Sequence, residues 1–294
     1  MRSETMNKNI NQLSRRSRQT AKIPGHAISR WLVVLIGITL FFAVSAHILQ
    51  KTVLNAQFVT VQATKSDYVN EATTTVNNVV ADLASSNGVP TSLSSGLVTS
   101  KQVKEDLTEI VENVYAGKAN AIDNQKIKNQ ISQNIAVKAQ SVGVSTNNEE
   151  FSAVRTALLG SIDSYIDQTI QERYLDKATA IIKKADNLTK TVFWISTIAA
   201  FIFAIILMLH DRSLLRWFHY LGLSALWSGI LVTVLAFLAN NSGFFAQIAE
   251  RAAQASGLVE NLLELIAANF QNAGLLLILC GIFGIVVGFF RKKS

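Results

Sequence analysis

The chain has 294 residues, of which 49% are hydrophobic and 16% charged, and a formal net charge of +7. A soluble domain carries about 25% charged residues, so this composition argues against a wholly water-soluble protein. The single cysteine, Cys280, excludes an intramolecular disulfide and a cysteine-built metal site.

Residues 1–30 form a basic tail, with Arg2, Lys8, Arg15, Arg16, Arg18, Lys22 and Arg30 against Glu4 alone. The run that follows, residues 31–49, has no Asp, Glu, Lys or Arg. About 18 or more largely apolar residues suffice, as helix, to cross a hydrocarbon core of about 30 Å. Small residues at Val44, Ser45 and Ala46 offer a leader-cleavage alternative. Apolar residues then recur at helical spacing at Leu54, Phe58, Val61, Tyr68, Ala72, Val76, Val79 and Leu83, with no Pro or Gly between Gly37 and Gly88. That pattern predicts a retained anchor continuing as one stalk helix until "SSNGVP", Ser85 to Pro90.

Within residues 50–190, a helix is predicted over Lys101 to Tyr115, with Val103, Leu107, Ile110, Val111 and Val114 on one face. Thr99 or Ser100 is placed to cap it and Gly117 to end it. Asp123 opens a third helix with Ile127, Ile131 and Ile135 inward, Lys128 on its polar side and Gly143 as its stop. "STNNEE", Ser145 to Glu150, precedes a long fourth helix. Its predicted buried stripe is Phe151, Val154, Leu158, Ile162, Tyr165, Ile166, Ile170, Ala178, Ile181, Ala185 and Leu188, and it runs on into the next apolar segment. These stripes predict an antiparallel helical bundle, with a coiled-coil stalk as the alternative.

A second span is expected at 191–209 and a third at 221–239, joined by a basic loop at 210–220. Arg212, Arg216 and Trp217 of that loop are candidate docking residues for a cytoplasmic partner. Residues 240–272 read as a helical loop, with apolar faces on either side of Gly257, that lies on the membrane or caps the bundle. The fourth span, 273–290, carries Gly281, Gly284 and Gly288. Gly284 and Gly288 form a GxxxG pair for close helix packing, within the chain or in a homo-oligomer. The tail, 291–294, holds Arg291, Lys292 and Lys293.

Positive charge therefore collects on residues 1–30, 210–220 and 291–294. The segment 51–190 has 14 basic and 15 acidic residues, and 240–272 sets Arg251 against Glu250, Glu260 and Glu264. This alternation predicts a multi-pass cell-membrane protein with both termini cytoplasmic and an extracytoplasmic bundle between spans 1 and 2. It also gives the net charge a topogenic role, with no nucleic-acid partner implied.

The expected fold class is thus all-α, with four transmembrane helices. His26, His47, His210 and His219 all lie outside the two larger loops, which removes a Ser-His-Asp triad or a histidine zinc site there. The spans contain no charged residue for a proton relay, and no phosphate-binding glycine loop is present. The acids Glu105, Asp106, Glu149 and Glu150 sit beside helix starts, where the macrodipole favours them. No catalytic, cofactor-binding or metal residue is nominated.

The order one span, large outer domain, two spans, small outer loop, one span resembles the division-associated and MacB-like permease family. That resemblance implies a transducer subunit working with a cytoplasmic ATPase, although the outer domains of that family are mixed α/β and this one reads all helical. "IVENVYAGKANAID", Ile110 to Asp123, is similar to a phrase in uncharacterised four-span membrane proteins of Gram-positive bacteria, which implies no activity. The expectation is a non-enzymatic membrane protein whose partners are the lipid bilayer and a protein bound by the outer helices. A permease-like transducer is the alternative.

Overall fold

The structure, a computed structural model, describes residues 25–252 and 255–289. Most of the basic tail, through residue 24, and the terminal Arg291, Lys292 and Lys293 lie outside the described residues. Among the described residues there is no strand. The described residues form the α-helices α1 Gly25–Lys51, α2 Ala56–Ala63, α3 Ser66–Ser86, α4 Thr91–Ser94, α5 Ser100–Ala116, α6 Asn124–Ser141, α7 Glu149–Tyr165, α8 Asp176–Asp211, α9 Leu214–Asn241, α10 Phe244–Glu250 and α11 Ser256–Phe289. A π-helical segment, Ile166–Leu175, joins α7 to α8 without a break. Among the described residues four helices are long and apolar enough to cross a membrane: α1, the continuous Glu149–Asp211 helix, α9 and α11. By length and composition this is a multi-pass membrane protein.

The chain divides into two compact units. The apolar unit takes the described residues up to Ser45, Phe193–Leu235 and those from Gln271 onward. Leu32, Ile36 and Leu207 are buried there, with Leu40, Phe203, Trp217, Tyr220 and Leu221 around them. In hydrocarbon, side-chain hydrogen bonds and small residues hold helices together. The Ser224 hydroxyl of α9 donates to the Val33 carbonyl of α1 at 3.0 Å, and the Trp217 indole N–H donates to the Ala204 carbonyl of α8 at 2.8 Å.

The amphipathic unit takes Ala46–Val192 and Ala236–Phe270. Its core joins Val80 and Ala84 of α3, Leu93 of α4, Val103 of α5, Ile131 and Ile135 of α6, and Phe151, Leu158 and Ile162 of α7. Ile131 is 1% exposed and Leu158 fully buried. Local chemistry sets the helix ends. Thr99 and Gln102 form a capping box at α5, which ends at Gly117 with φ +74°. The Asp123 carboxylate caps α6 at the Lys126 N–H, and the Asn148 side chain caps α7 at the Phe151 N–H.

Three sequence expectations change. The stalk is not one helix: it stops at Lys51 and again at Ala63. The Asn55 side chain accepts from the Phe58 N–H at 3.0 Å and starts α2 afresh, so an N-cap ends the run where no Pro or Gly stands. The buried stripe of the fourth helix ends early, because Ile181 and Leu188 are 67% and 62% exposed. Finally, the 240–272 loop is not separate from the fourth span, because residues 256–272 are the first half of α11. Gly257 there accepts a hydrogen bond from the Tyr68 hydroxyl of α3 at 3.2 Å, so this segment packs on the bundle.

Candidate functional site

The amphipathic unit holds a polar cleft of about 500 Å³. Its walls come from the C-terminal half of α5, the 117–123 connector, the start of α6 and the α7–π segment. Glu109, Asp123, Asp163 and Asp167 supply carboxylates, Asn113, Asn120, Asn124 and Gln171 supply amides, and Lys118 stands at the edge.

The cleft depends on the π-helical geometry. Hydrogen bonds in a π-helix span five residues, and the Asp176 N–H here reaches the Gln171 carbonyl. Ile166 and Gln171, five apart, are both buried. The wider turn therefore keeps Gln171 on the inner face. Its Oε1 accepts from the Ala121 N–H at 3.1 Å, while its Nε2 donates to the Ala119 carbonyl at 2.9 Å and to Asp176 at 2.6 Å. The Asn113 amide donates to the Ala121 carbonyl at 3.0 Å. Two buried amides thus pin the connector that forms one lip of the cleft.

Opposite, the Asn124 amide donates to Asp163 at 3.1 Å and to Asp167 at 2.7 Å. Lys128, expected on a solvated face, pairs with Asp163 at 3.1 Å. Lys126 contacts both Asp106 and Glu109 at 2.8 Å. Hydrogen bonds to Asp106 and then Glu109 hold its ammonium well above the ordinary lysine range. The cleft wall is a network in which charges are mostly compensated and amide geometry is fixed.

Chemically, these groups offer hydrogen-bond donors and acceptors with a moderately acidic bias. The described residues contain no cluster of His, Cys, Asp and Glu able to hold a metal ion. Asp163 is held by Asn124 and Lys128, Asp167 by Asn124 and Glu109 by Lys126, so these carboxylates are engaged within the chain.

The structure distributes the candidates from the sequence as follows. Gly281, Gly284 and Gly288 lie on the face of α11 that meets α9. A Cβ at Gly281 would stand 2.6 Å from the Leu226 amide nitrogen, and one at Gly284 would stand 2.9 Å from the Gly222 Cα. Gly222 and Gly229 complete the seam from the α9 side, and neither had been singled out because no GxxxG frames them. Arg212, between α8 and α9, has φ +48°, and the Arg216 Nε is buried. Trp217, as described, spends its indole N–H on α8.

A second concavity, about 620 Å³, lies between α1 and α9 and is walled by Val34, Ile38, Phe41, Tyr220 and Trp227. Its lining is mostly apolar, with Arg30, Tyr220, Trp227 and Ser228 bringing the polar side-chain atoms. Compared with protein-family models, curated proteins and solved structures, the chain matches none.

Proposed function

We propose that this is a non-enzymatic membrane protein with both termini cytoplasmic, whose 50–190 helical domain binds a protein partner outside the membrane through the polar cleft. The observation that carries the reading is the cleft itself. It combines a volume of about 500 Å³ with amides and carboxylates locked by Gln171, Asn113 and Asn124. Pre-organised polar groups bind well because little ordering remains to be done on association. The alternation of basic and neutral-to-acidic segments supports the orientation.

The test has two arms on the full chain in cells. A reporter active only in the cytoplasm is inserted at Asn124 or within Asp211 to Phe218. Activity at the second site and silence at the first are expected, and activity at Asn124 overturns the orientation. A photo-crosslinking residue at Asn120 is then compared with one at Lys104. A defined adduct at Asn120, lost in Asp163→Ala/Asp167→Ala, is expected. Equal labelling from both positions overturns the cleft as the binding surface.

The unbroken Glu149–Asp211 helix favours a second reading, a permease-like transducer working with a cytoplasmic ATPase, because a continuous rod transmits displacement. Co-purification of an ATPase that is lost when Arg212, Arg216 and Trp217 are replaced together would select that reading.

A further inference from the structure

Helix α8 carries an apolar row along one side. Its positions 178, 181, 185, 188, 192, 195, 199, 202, 206 and 209 alternate steps of three and four, and Tyr174, in the preceding π-helical segment, stands four residues before the first. They read Tyr, Ala, Ile, Ala, Leu, Val, Ile, Ala, Ile, Ile, Leu, with no polar member. Steps of four and three average 3.5 residues, the repeat of a coiled-coil seam, whereas a helix merely facing a globular core follows 3.6.

The large members of the row are also uncovered. Tyr174, Ile181, Leu188, Ile195, Ile202 and Leu209, seven apart, are all exposed. A bilayer accounts for the last three, but lipid demands no phase. Before the charge-free run the surroundings are polar, with Asp176, Lys177, Lys183, Lys184, Asp186 and Lys190 on α8. There Ile181 and Leu188 interrupt a charged surface at one spacing only. Between residues 145 and 193 the exposed large hydrophobics are Tyr174, Ile181 and Leu188 and no others among the described residues. Burying them on a partner would remove from water apolar surface that the chain itself leaves uncovered.

We infer that this row is a self-association seam on which α8 of a second copy packs parallel and in register. The occupant must be a helix that crosses the bilayer alongside Val192–Leu209 and keeps the same heptad phase for about two heptads beyond it. Helix α8 itself has that form. Two copies inserted with the same orientation present it parallel, so each side chain meets its own counterpart. Alanine at 178, 185 and 199 lets the backbones approach, as small residues do between membrane helices.

The flanking charges select the same arrangement. In a parallel pair Lys177 lies opposite Ile182 of the second copy and Lys184 opposite Thr189, so no like charges meet. An antiparallel pair would set lysine against lysine across the seam. The Gly281–Gly284–Gly288 face is occupied by α9 within the chain, so this surface is separate from it.

Site-directed cross-linking of the full chain in membrane vesicles tests the seam. In a Cys280→Ser background, Ile181→Cys and Leu188→Cys are compared with Lys183→Cys, which lies on the opposite side of the helix. All three positions are exposed, so none of the changes disturbs the core. Disulfides form only where Cα atoms come within about 4.4–6.8 Å. Mild oxidation should give at least about tenfold more disulfide-linked dimer at 181 and 188 than at 183. That dimer should persist when the protein is diluted with lipid and disappear from Ile181→Cys when Leu188→Lys is added. Equal cross-linking at 183, or no dimer at 181 and 188, overturns the inference. So does a dimer at 181 that ignores Leu188→Lys.

Discussion

Gly222→Ala puts the α9–α11 seam to the test with a single methyl group. A Cβ at Gly222 would lie 2.6 Å from the Gly281 carbonyl oxygen, 2.6 Å from the Ile285 nitrogen and 2.8 Å from the Gly284 carbonyl carbon. All three are backbone atoms, so no side chain can swing aside. Ordinary contact begins near 3.4 Å, and the helices must part by on the order of an ångström. A gap of about 0.5–1 Å forfeits about a quarter to a half of each dispersion contact it opens. Inserting a methylene into a packed interior costs about 1–3 kcal/mol, and the upper half of that range is expected here because Gly229, Gly274 and Gly284 share the seam. The assay is denaturation of the detergent-solubilised full chain by SDS, read by tryptophan fluorescence. Gly37→Ala serves as the control, since a Cβ there meets the Ser224 carbonyl at an ordinary 3.5 Å. Gly222→Ala should unfold at clearly lower SDS fraction and Gly37→Ala at nearly the wild-type value. Equal midpoints for Gly222→Ala and wild type, or equal losses for both variants, would refute the close-approach reasoning.

Three further outcomes follow from the amphipathic unit. Ile131→Ala and Leu158→Ala each remove a buried side chain and should cost about 2–5 kcal/mol in helical melts followed by circular dichroism, while Lys104→Ala on the exposed face changes little. Gln171→Leu strands the buried Ala121 N–H and should cost about 1–3 kcal/mol, with faster hydrogen exchange at that amide. Burial pushes the Tyr115 phenol up to about 12, so the absorbance step that Tyr115→Phe removes should be one that appears only well above the free-phenol value of about 10. Because its folded value lies above its unfolded value of about 10, its contribution to stability is complete below pH about 10 and is lost as pH rises toward 12.

The all-helical class and the helix ends were legible because the signals are local. Thr99, Gly117 and Asp123 act within one turn of themselves, and an amphipathic stripe such as Ile127, Ile131 and Ile135 needs only its own helix to be recognised. The misreadings came from long-range choices. Asn55 has no distinguishing neighbours as a cap, and nothing near residue 166 announces a π-helical turn. Lys128 sits where a helix wheel puts solvent, yet Asp163 lies 35 positions away in the chain and 3.1 Å away in space. Ile181 and Leu188 continued a stripe whose earlier members face the core, and periodicity alone cannot tell which partner a face meets. The polar cleft was invisible for the same reason: its walls are brought together only by the pins on the 117–123 connector.

Those pins rest on side-chain amides, groups that water can hydrolyse to carboxylates. The connectors of the bundle are held by Asn77 on Val98, Asn134 on Leu97, Asn87 on Ser161, and Asn113 and Gln171 on Ala121. Asn77 and Gln171 both donate and accept, whereas Asn87, Asn113 and Asn134 donate through their amide nitrogens. Asn77 gives its Nδ2 to the Thr73 and Val98 carbonyls and takes the Val98 N–H on its Oδ1. Spontaneous hydrolysis of that amide would leave a carboxylate, which accepts only. An oxygen would then face two carbonyl oxygens, and the pin would turn from clasp to wedge. Asn87 donates its Nδ2 to the Leu83 carbonyl and the Ser161 hydroxyl, so the same change there would remove the donor that faces Leu83. Age, acting one ammonia molecule at a time, would loosen this bundle at its connectors while the apolar core stayed intact.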